Sequence, residues 1–539
     1  MNELLLQEIY KELKALRQDV EEIKKDLRPV KEPEKKPEPV NDIITPAPIA
    51  PVIDENSKWS HIKIDGYPLT LEQSNILDLV ASGKNLKIEA FAGSGKTTTL
   101  RAIATAFPKK KFLYLAFNKS VQLDAEQSFP QNVSSKTAHS LAYRWLTSEW
   151  GSRDVISAKL KGRFNNREFV SKYKIESKFK SVSSQQLAFL AHMAMRNYCF
   201  SGAVDMMPNH ADSKELRGIA KSAKIDIESL QENVLEVAKL IWTEGTDPKK
   251  PLVMSHDMYL KMWSLAKPKI KEAILFDEAQ DANPVILSVV ESQKGQKIYV
   301  GDRHQQIYSW RGAISAFERV KSEHTASLTE CFRFGEVIAT PANKLIGNLG
   351  EKKSLKGVSQ IPGTLTVDYQ RPYTKIFRTN AALLSEAIKL SKECSLGVVG
   401  GIDSAISEIE NAYALYKGDA SKSGEFAVYK TWDTLVDASE FDRSIKSVVK
   451  FINNYSKNLP STLRRLKRMV VDELDSDIVL STAHKAKGKE WDQVIVADDF
   501  PLEKGKKKAD EEEQRLAYVA ITRAKKTLEV PSNIDSYLK

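Results

Sequence analysis

The chain is predicted to be an α/β protein whose parallel sheets are flanked by helices, preceded by an N-terminal coiled-coil helix and a proline-rich linker. Three observations carry this expectation. Short apolar runs rich in β-branched and aromatic residues alternate with stretches of helical periodicity. Two longer stretches between those runs are poor in strand pattern, and a glycine-rich turn stands where one apolar run passes into a helix.

Leu5, Ile9, Leu13, Leu16, Val20, Ile23 and Leu27 form a heptad seam filled in by charged residues. Residues 1–28 are therefore read either as a self-associating coiled coil or as a single amphipathic helix docked on a protein partner or on the body of the protein. Residues 29–57 turn to Pro, Lys and Glu, then to Pro, Ala and Ile, which suits a semi-extended linker. The folded body follows. Its expected core strands are 87–90, 112–117, 273–276, 297–300, 375–378, 478–482 and 493–497. A helical insertion is expected over about 141–269, and a smaller one over about 395–475. No internal repeat of fixed period stands out.

At 539 residues, 42% hydrophobic and 28% charged, the composition is that of folded domains and excludes a disordered tail. The formal charge of +10 favours a polyanionic partner, nucleic acid first. Cys199, Cys331 and Cys394 are widely spaced, so neither a disulfide framework nor a zinc or iron–sulfur site is suggested. Without an apolar run of spanning length or a leader pattern, no membrane association is expected, and a cytoplasmic location, or nuclear in a eukaryote, is.

The chemistry is concentrated in a few segments. Residues 87–97 read KIEAFAGSGKT, a strand running through a glycine turn into a helix. Backbone N–H groups from Ala92, Gly93, Ser94 and Gly95 through Thr98 suit phosphate oxygens, Lys96 adds charge at the β/γ position, and the Thr97 hydroxyl suits Mg²⁺. Ala90 stands where the common pattern has glycine. The complement is AILFDEAQD, 273–281: Asp277 is placed to hold Mg²⁺ and Glu278 to accept a proton from the attacking water. Gln73, in LTLEQ, has the paired donor and acceptor that match an adenine edge. Residues 301–313, GDRHQQIYSWRGA, join polar Asp302 and Gln305, within reach of a terminal phosphate, to Tyr308, Trp310 and Arg311, which suit an unpaired strand. Arg333 and Arg523 remain as cations for the γ-phosphate.

Taken in order, LTLEQ, AFAGSGKT, LAFNKS, TAHSLAY, FDEAQD, VGDRHQQIYSWRGA, LTECFRF, STAHKAKGKEWDQVIV and RLAYVAITRAKK resemble the UvrD/Rep-like superfamily 1 DNA helicases, in particular the branch that includes the F-box DNA helicases. The resemblance spans about residues 69–530. It implies two RecA-like lobes, 58–328 and 329–539, with ATP and Mg²⁺ in the cleft and single-stranded DNA across the top, moving 3′ to 5′. By motif match it implies that Gln73 meets adenine, Phe332 stacks on it, and Gly488 and Glu490 lie at the ribose. Lys96 and Thr97 hold phosphate and metal, Asp277 and Glu278 are the catalytic carboxylates, Gln305 senses the γ-phosphate, and Arg333 and Arg523 are the arginine fingers. It implies DNA contacts at Asn118, His139, Tyr308, Trp310, Arg311, Thr482 and His484, while His139 and Thr482 also suit buried structural hydrogen bonding. Arg303 and His304 depart from the acidic residues common at their positions, and Phe117 sits one place late.

The expected activity is an ATP-dependent helicase or translocase acting on single-stranded DNA and single/double-strand junctions. The alternatives are a translocase that strips proteins from the strand without efficient unwinding, and an ATP-gated recruitment factor working through residues 1–28.

Overall fold

The computed structural model describes residues 51–539 except 54, 163, 308–315, 359, 361, 362, 420–425, 427, 428, 430, 441 and 503–509, all within the unit Thr45–Lys539. The coiled-coil reading of 1–28, most of the linker, and Tyr308, Trp310 and Arg311 lie outside the described residues.

Two six-stranded parallel sheets organise the body. The first comprises β1 (Leu86–Ala90), β2 (Phe112–Ala116), β3 (Val133–Thr137), β4 (Ala273–Phe276), β5 (Lys297–Gly301) and β6 (His324–Leu328), in the order β3-β2-β4-β5-β1-β6. Strands β2, β4 and β5 are buried at every position, because the sheet is covered on both faces. Helices α1 (Leu71–Ala81), α2 (Lys96–Ala106) and α3 (Lys119–Ser128) belong to one side, where Ile76, Leu100 and Ile103 join Ile88, Tyr114 and Leu275. The stretch between β3 and β4 holds seven α-helices among the described residues, from Ala138 to Leu265. Two of them, α4 (Ser184–Phe200) and α5 (Ile227–Thr246), form its centre and share a core with the other face of the sheet.

The second sheet comprises β7 (Tyr373–Phe377), β8 (Leu396–Val398), β9 (Val470–Val471), β10 (Ile478–Thr482), β11 (Trp491–Val496) and β12 (Ala524–Glu529), in the order β9-β8-β10-β7-β11-β12. The stretch read from sequence as a second insertion is bound into this sheet. It supplies β8 and β9, and the apolar faces of its helices join the core that also holds Phe377 and Leu480. Alternating short strands and helices of this kind leave little sequence contrast with the surrounding lobe. The helices of this lobe include α6 (Glu336–Asn348), α7 (Asn380–Leu390), α8 (Asp403–Tyr416), α9 (Arg443–Tyr455), α10 (Leu459–Met469) and α11 (Glu511–Ile521).

The chain passes between the sheets against the phosphate loop. Phe332 N donates to the Gly93 carbonyl at 2.9 Å. Phe91 and Ala92 are buried in the core of the second lobe, with Phe334 and Tyr518. A parallel sheet presents its ligand face at the carboxyl ends of its strands. The segments after β1, β4 and β5 in the first lobe thus face those after β10 and within α11 of the second.

Candidate nucleotide cleft

After β1 the chain makes a turn in which Gly93 (φ +69°) and Gly95 (φ +75°) are left-handed, and α2 then starts at Lys96. Glycine is required twice over at position 93: a Cβ there would lie 2.7 Å from both Arg333 Cβ and Cys331 Sγ. A Cβ on Gly95 would sit 3.6 Å from Gln73 Nε2 and 3.8 Å from the Phe332 ring, so Gln73 and Phe332 flank the loop together. The Gln73 amide is already engaged, accepting from Thr70 N at 3.0 Å and donating to Thr99 Oγ1 at 3.2 Å, which closes a capping box on α1.

Lys96 and Thr97 project toward the end of β4. Thr97 Oγ1 donates to Asp277 Oδ2 at 3.3 Å, and Tyr114 OH on β2 donates to the same oxygen at 2.7 Å. Lys96 Nζ stands 3.7 Å from Glu278 Oε1. Burial and the adjacent Glu278 charge push the Asp277 carboxyl up. Burial also opposes the Glu278 charge, but Lys96, Lys487, the Gln280 amide and Arg523 outweigh it and hold that carboxyl down. Glu278 adopts φ +50°, a left-handed conformation rare outside glycine. The next residues fold back, and Gln280 Nε2 donates to Glu278 Oε2 at 2.5 Å. A hydroxyl and a carboxylate, both hard oxygen donors, suit Mg²⁺ in this corner.

A chain of hydrogen bonds crosses from this loop to the second lobe. Ala92 N donates to Tyr518 OH at 3.2 Å, and Tyr518 OH donates to Asp302 Oδ2 at 3.2 Å. That oxygen also accepts from Gln305 Nε2 at 2.8 Å, and Gln305 Oε1 accepts from Arg523 Nη2 at 3.2 Å. Arg523 is buried, its guanidinium fixed by the carbonyls of Val519 and Lys489 and by Thr522 Oγ1. Burial and the like charge of Arg333 lower its pKa, so an arriving anion would relieve a real cost. Asp302 is 1% exposed, and its two oxygens accept from His304 N, Gln305 Nε2 and Tyr518 OH.

The matching protein families agree with this geometry. Residues 69–325 match the UvrD/REP helicase N-terminal domain and residues 364–533 the UvrD-like helicase C-terminal domain. The chain belongs to the UvrD-like helicase family. It is 31% identical to F-box DNA helicase 1 of Gallus gallus over 89% of this chain and 50% of that protein. It is also 31% identical to F-box DNA helicase protein 1 of Schizosaccharomyces pombe over 85% of this chain and 57% of that one. A probable DNA helicase II homolog of Mycoplasma pneumoniae is 24% identical over 72% of this chain and 56% of its own length. The chain thus spans about half the length of these relatives.

Within this UvrD-like frame, Arg333 Nε donates to Glu490 Oε2 at 2.6 Å, and its Nη1 to the Thr522 carbonyl at 2.9 Å. Gly488 (φ +80°) turns the chain just before Glu490. Lys487, which the sequence reading passed over, pairs with buried Asp281 and donates to the Gln305 carbonyl at 2.6 Å. Tyr518 was passed over as well. Nothing in either residue's local pattern separates it from an ordinary helix or loop position, since each is defined by a partner some two hundred residues away.

Of the motif-matched strand residues, Asn118 caps α3 by accepting from Val121 N. Asn118 and His139 line a cavity of about 330 Å³ that also reaches Glu278 and takes Arg196 and Phe200 from α4. His139 Nε2 lies 3.7 Å from Asp257 Oδ1. Thr482 is 5% exposed and caps the short turn Ala483–Ala486. Burial and nearby Arg378 push the His484 pKa down to about 4, and its ring meets the Ile307 backbone. Asn118 and His139 thus stand on the first sheet, and Thr482 and His484 on the second.

The atypical Arg303 and His304 have a partner in Glu351. Arg303 Nη2 donates to Glu351 Oε2 at 2.5 Å, and His304 Nε2 lies 3.0 Å from the same oxygen. Burial works against the Glu351 charge, but the backbone N–H of Lys353, His304 and Arg303 outweigh it and bring its pKa down to about 2. Neighbouring Lys353 reaches Glu89 of β1 and Ser327 of β6, so this segment straps the first sheet from the end of α6. Glu351→Ala would leave the Arg303 guanidinium and the buried His304 ring without the carboxylate they share. Its expected cost is about 1–2 kcal/mol after discounting the exposed share of Arg303, read as a lower thermal midpoint, and an unchanged midpoint would deny the strap any structural role.

Proposed function

We propose that the chain is an ATP-driven motor on single-stranded DNA, moving 3′ to 5′ and unwinding duplex ahead of it. The observation that carries this is the continuous hydrogen-bonded path from Ala92 of the phosphate loop through Tyr518, Asp302 and Gln305 to Arg523. Such a path makes hydrolysis depend on how the second lobe sits on the first. The relatives named as DNA helicases supply the choice of DNA.

In this reading Gln73 and Phe332 bracket the adenine, with Gly488 and Glu490 at the ribose side. Backbone N–H groups of residues 92–98 and the Lys96 ammonium hold the phosphates. Thr97 and Asp277 would hold Mg²⁺, which would supply positive charge to offset that of the phosphates. Glu278 is kept ionised by Lys96 and takes the proton of the attacking water. Gln305 orients the γ-phosphate end, and Arg333 and Arg523 meet the charge that develops there. Asn118, His139, Thr482 and His484, with Tyr308, Trp310 and Arg311, form the strand track.

A second reading, protein displacement without efficient unwinding, draws on the fold of residues 395–475 onto their own sheet, which leaves no separate projecting element among the described residues of that stretch. The test is ATPase rate at fixed salt with single-stranded DNA, duplex DNA and RNA, beside unwinding of duplexes bearing a 3′ or a 5′ tail and displacement of a bound protein. Stimulation by single-stranded DNA with opening of the 3′-tailed duplex is expected. Displacement without opening would favour the second reading, and ATPase indifferent to nucleic acid would sink both.

A further inference from the structure

Val52 and Ile53 fall in the stretch read from sequence as a linker, yet both are tied to the body beside the nucleotide cleft. Helix α1 begins at Leu71, whose N–H, like every first amide of a helix, has no partner within the helix. The Val52 carbonyl accepts it at 2.7 Å, and Ile53 forms an antiparallel bridge with Thr70, the capping residue of α1. The Val52 N–H donates to Glu330 Oε1 at 3.1 Å. One residue thus links the start of the helix that carries Gln73 to the short strand Glu330–Cys331 that leads into Phe332.

A second tie joins the same two elements. Glu72, in the first turn of α1, accepts from Thr329 N at 2.7 Å and from Thr329 Oγ1 at 2.6 Å. Glu330 is 4% exposed, and burial raises its pKa; the Glu72 charge adds to the rise, while the Val52 N–H and Lys356 oppose it. A buried carboxylate is costly unless a donor meets it, so the bond from Val52 is one that the fold has reason to keep. Val52 itself is 51% exposed, so backbone groups, not its side chain, carry the tie. Val52 and Glu330 both lie outside the two stretches that match the helicase domains, 69–325 and 364–533.

Gln73 follows Glu72 directly, Phe332 is two residues beyond Glu330, and both come within 4 Å of the Cβ position of Gly95. A base that offers its edge to the Gln73 amide and its face to the Phe332 ring needs a fixed gap between them. We propose that Val52, Glu72 and Glu330 are positioning residues for the adenine: together they brace the start of α1 against the strand before Phe332 and so set the gap that the base enters. This rests on the reading of Gln73 and Phe332 as the neighbours of the adenine. The brace has no contact with Lys96, Thr97 or Asp277 among the hydrogen bonds just described, so it acts on the base and leaves the phosphates alone.

The test uses the full chain with Val52→Pro, which removes the donor at a half-exposed position, and Glu330→Ala, which removes its acceptor. Each is expected to raise KM for ATP about 2- to 10-fold, the worth of one hydrogen bond, with kcat unchanged in single-strand-stimulated ATPase. Tripolyphosphate, which carries the phosphates without a base, should inhibit with the parent's Ki. The double variant should add nothing to either single one, and Glu330→Gln, which retains an acceptor, should keep the parent's KM. An unchanged KM in folded protein would overturn the proposal. So would a parallel rise in the tripolyphosphate Ki, which would mean a loosened cleft, or full additivity in the double variant. Gln73→Ala separates the brace from the reading beneath it. If that variant raises KM for ATP and the brace variants do not, the brace alone fails; if it leaves KM unchanged, the adenine assignment fails and takes the brace's role with it.

Discussion

Glu278→Gln is expected to lower ATP hydrolysis by about 10² to 10⁴-fold, the usual contribution of a positioned general base, while nucleotide binding is retained. The substitution keeps the volume and the left-handed backbone of a residue folded back toward Gln280. What disappears is the charge that Lys96 and Lys487 stabilise. A fluorescent-nucleotide titration beside steady-state turnover separates the two effects. Turnover within tenfold of the parent would remove Glu278 from the base role and turn attention to Asp281, a buried carboxylate paired with Lys487.

Arg523→Lys should cost about 10³-fold or more in turnover, in the range found for arginine fingers, although the formal charge is kept. The guanidinium spans Val519 O, Lys489 O, Thr522 Oγ1 and Gln305 Oε1 in fixed directions, and a single ammonium cannot satisfy that set. A structural role alone would lower the melting midpoint and leave the turnover of the folded fraction unchanged. A catalytic one lowers kcat with KM for ATP little altered. Near-parent kcat in folded protein would cut the proposed path at its last link.

The sequence disclosed those parts of the fold whose physics is local. Strands β2, β4, β5 and β10 are buried on both faces and read as unbroken apolar runs. Edge strands were missed for the converse reason. Val133–Thr137 is VSSKT and Ala524–Glu529 is AKKTLE, each solvated along part of its length and so without an apolar run. The glycine turn and DEAQD announced themselves because phosphate and metal chemistry dictates residue type and spacing. Tyr518, Lys487 and Glu351 could not, since a tyrosine in a helix or a glutamate after one has meaning only through what it touches. What the sequence could not show is how Asp302 is held: its carboxylate accepts from His304 N, Gln305 and Tyr518.

The hydrogen bond from Phe332 to the Gly93 carbonyl has a mechanical reading. The chain leaves one sheet for the other directly against the loop that grips the phosphates, so that contact is a fulcrum. If the second lobe turns about it, each atom moves in proportion to its distance from this point. Arg333, the residue after Phe332, scarcely shifts, while the parts of the second lobe remote from the contact travel further. In the motor reading proposed above, a lever pivoted at the nucleotide cleft would turn a small change in how phosphates are held into a larger travel away from it.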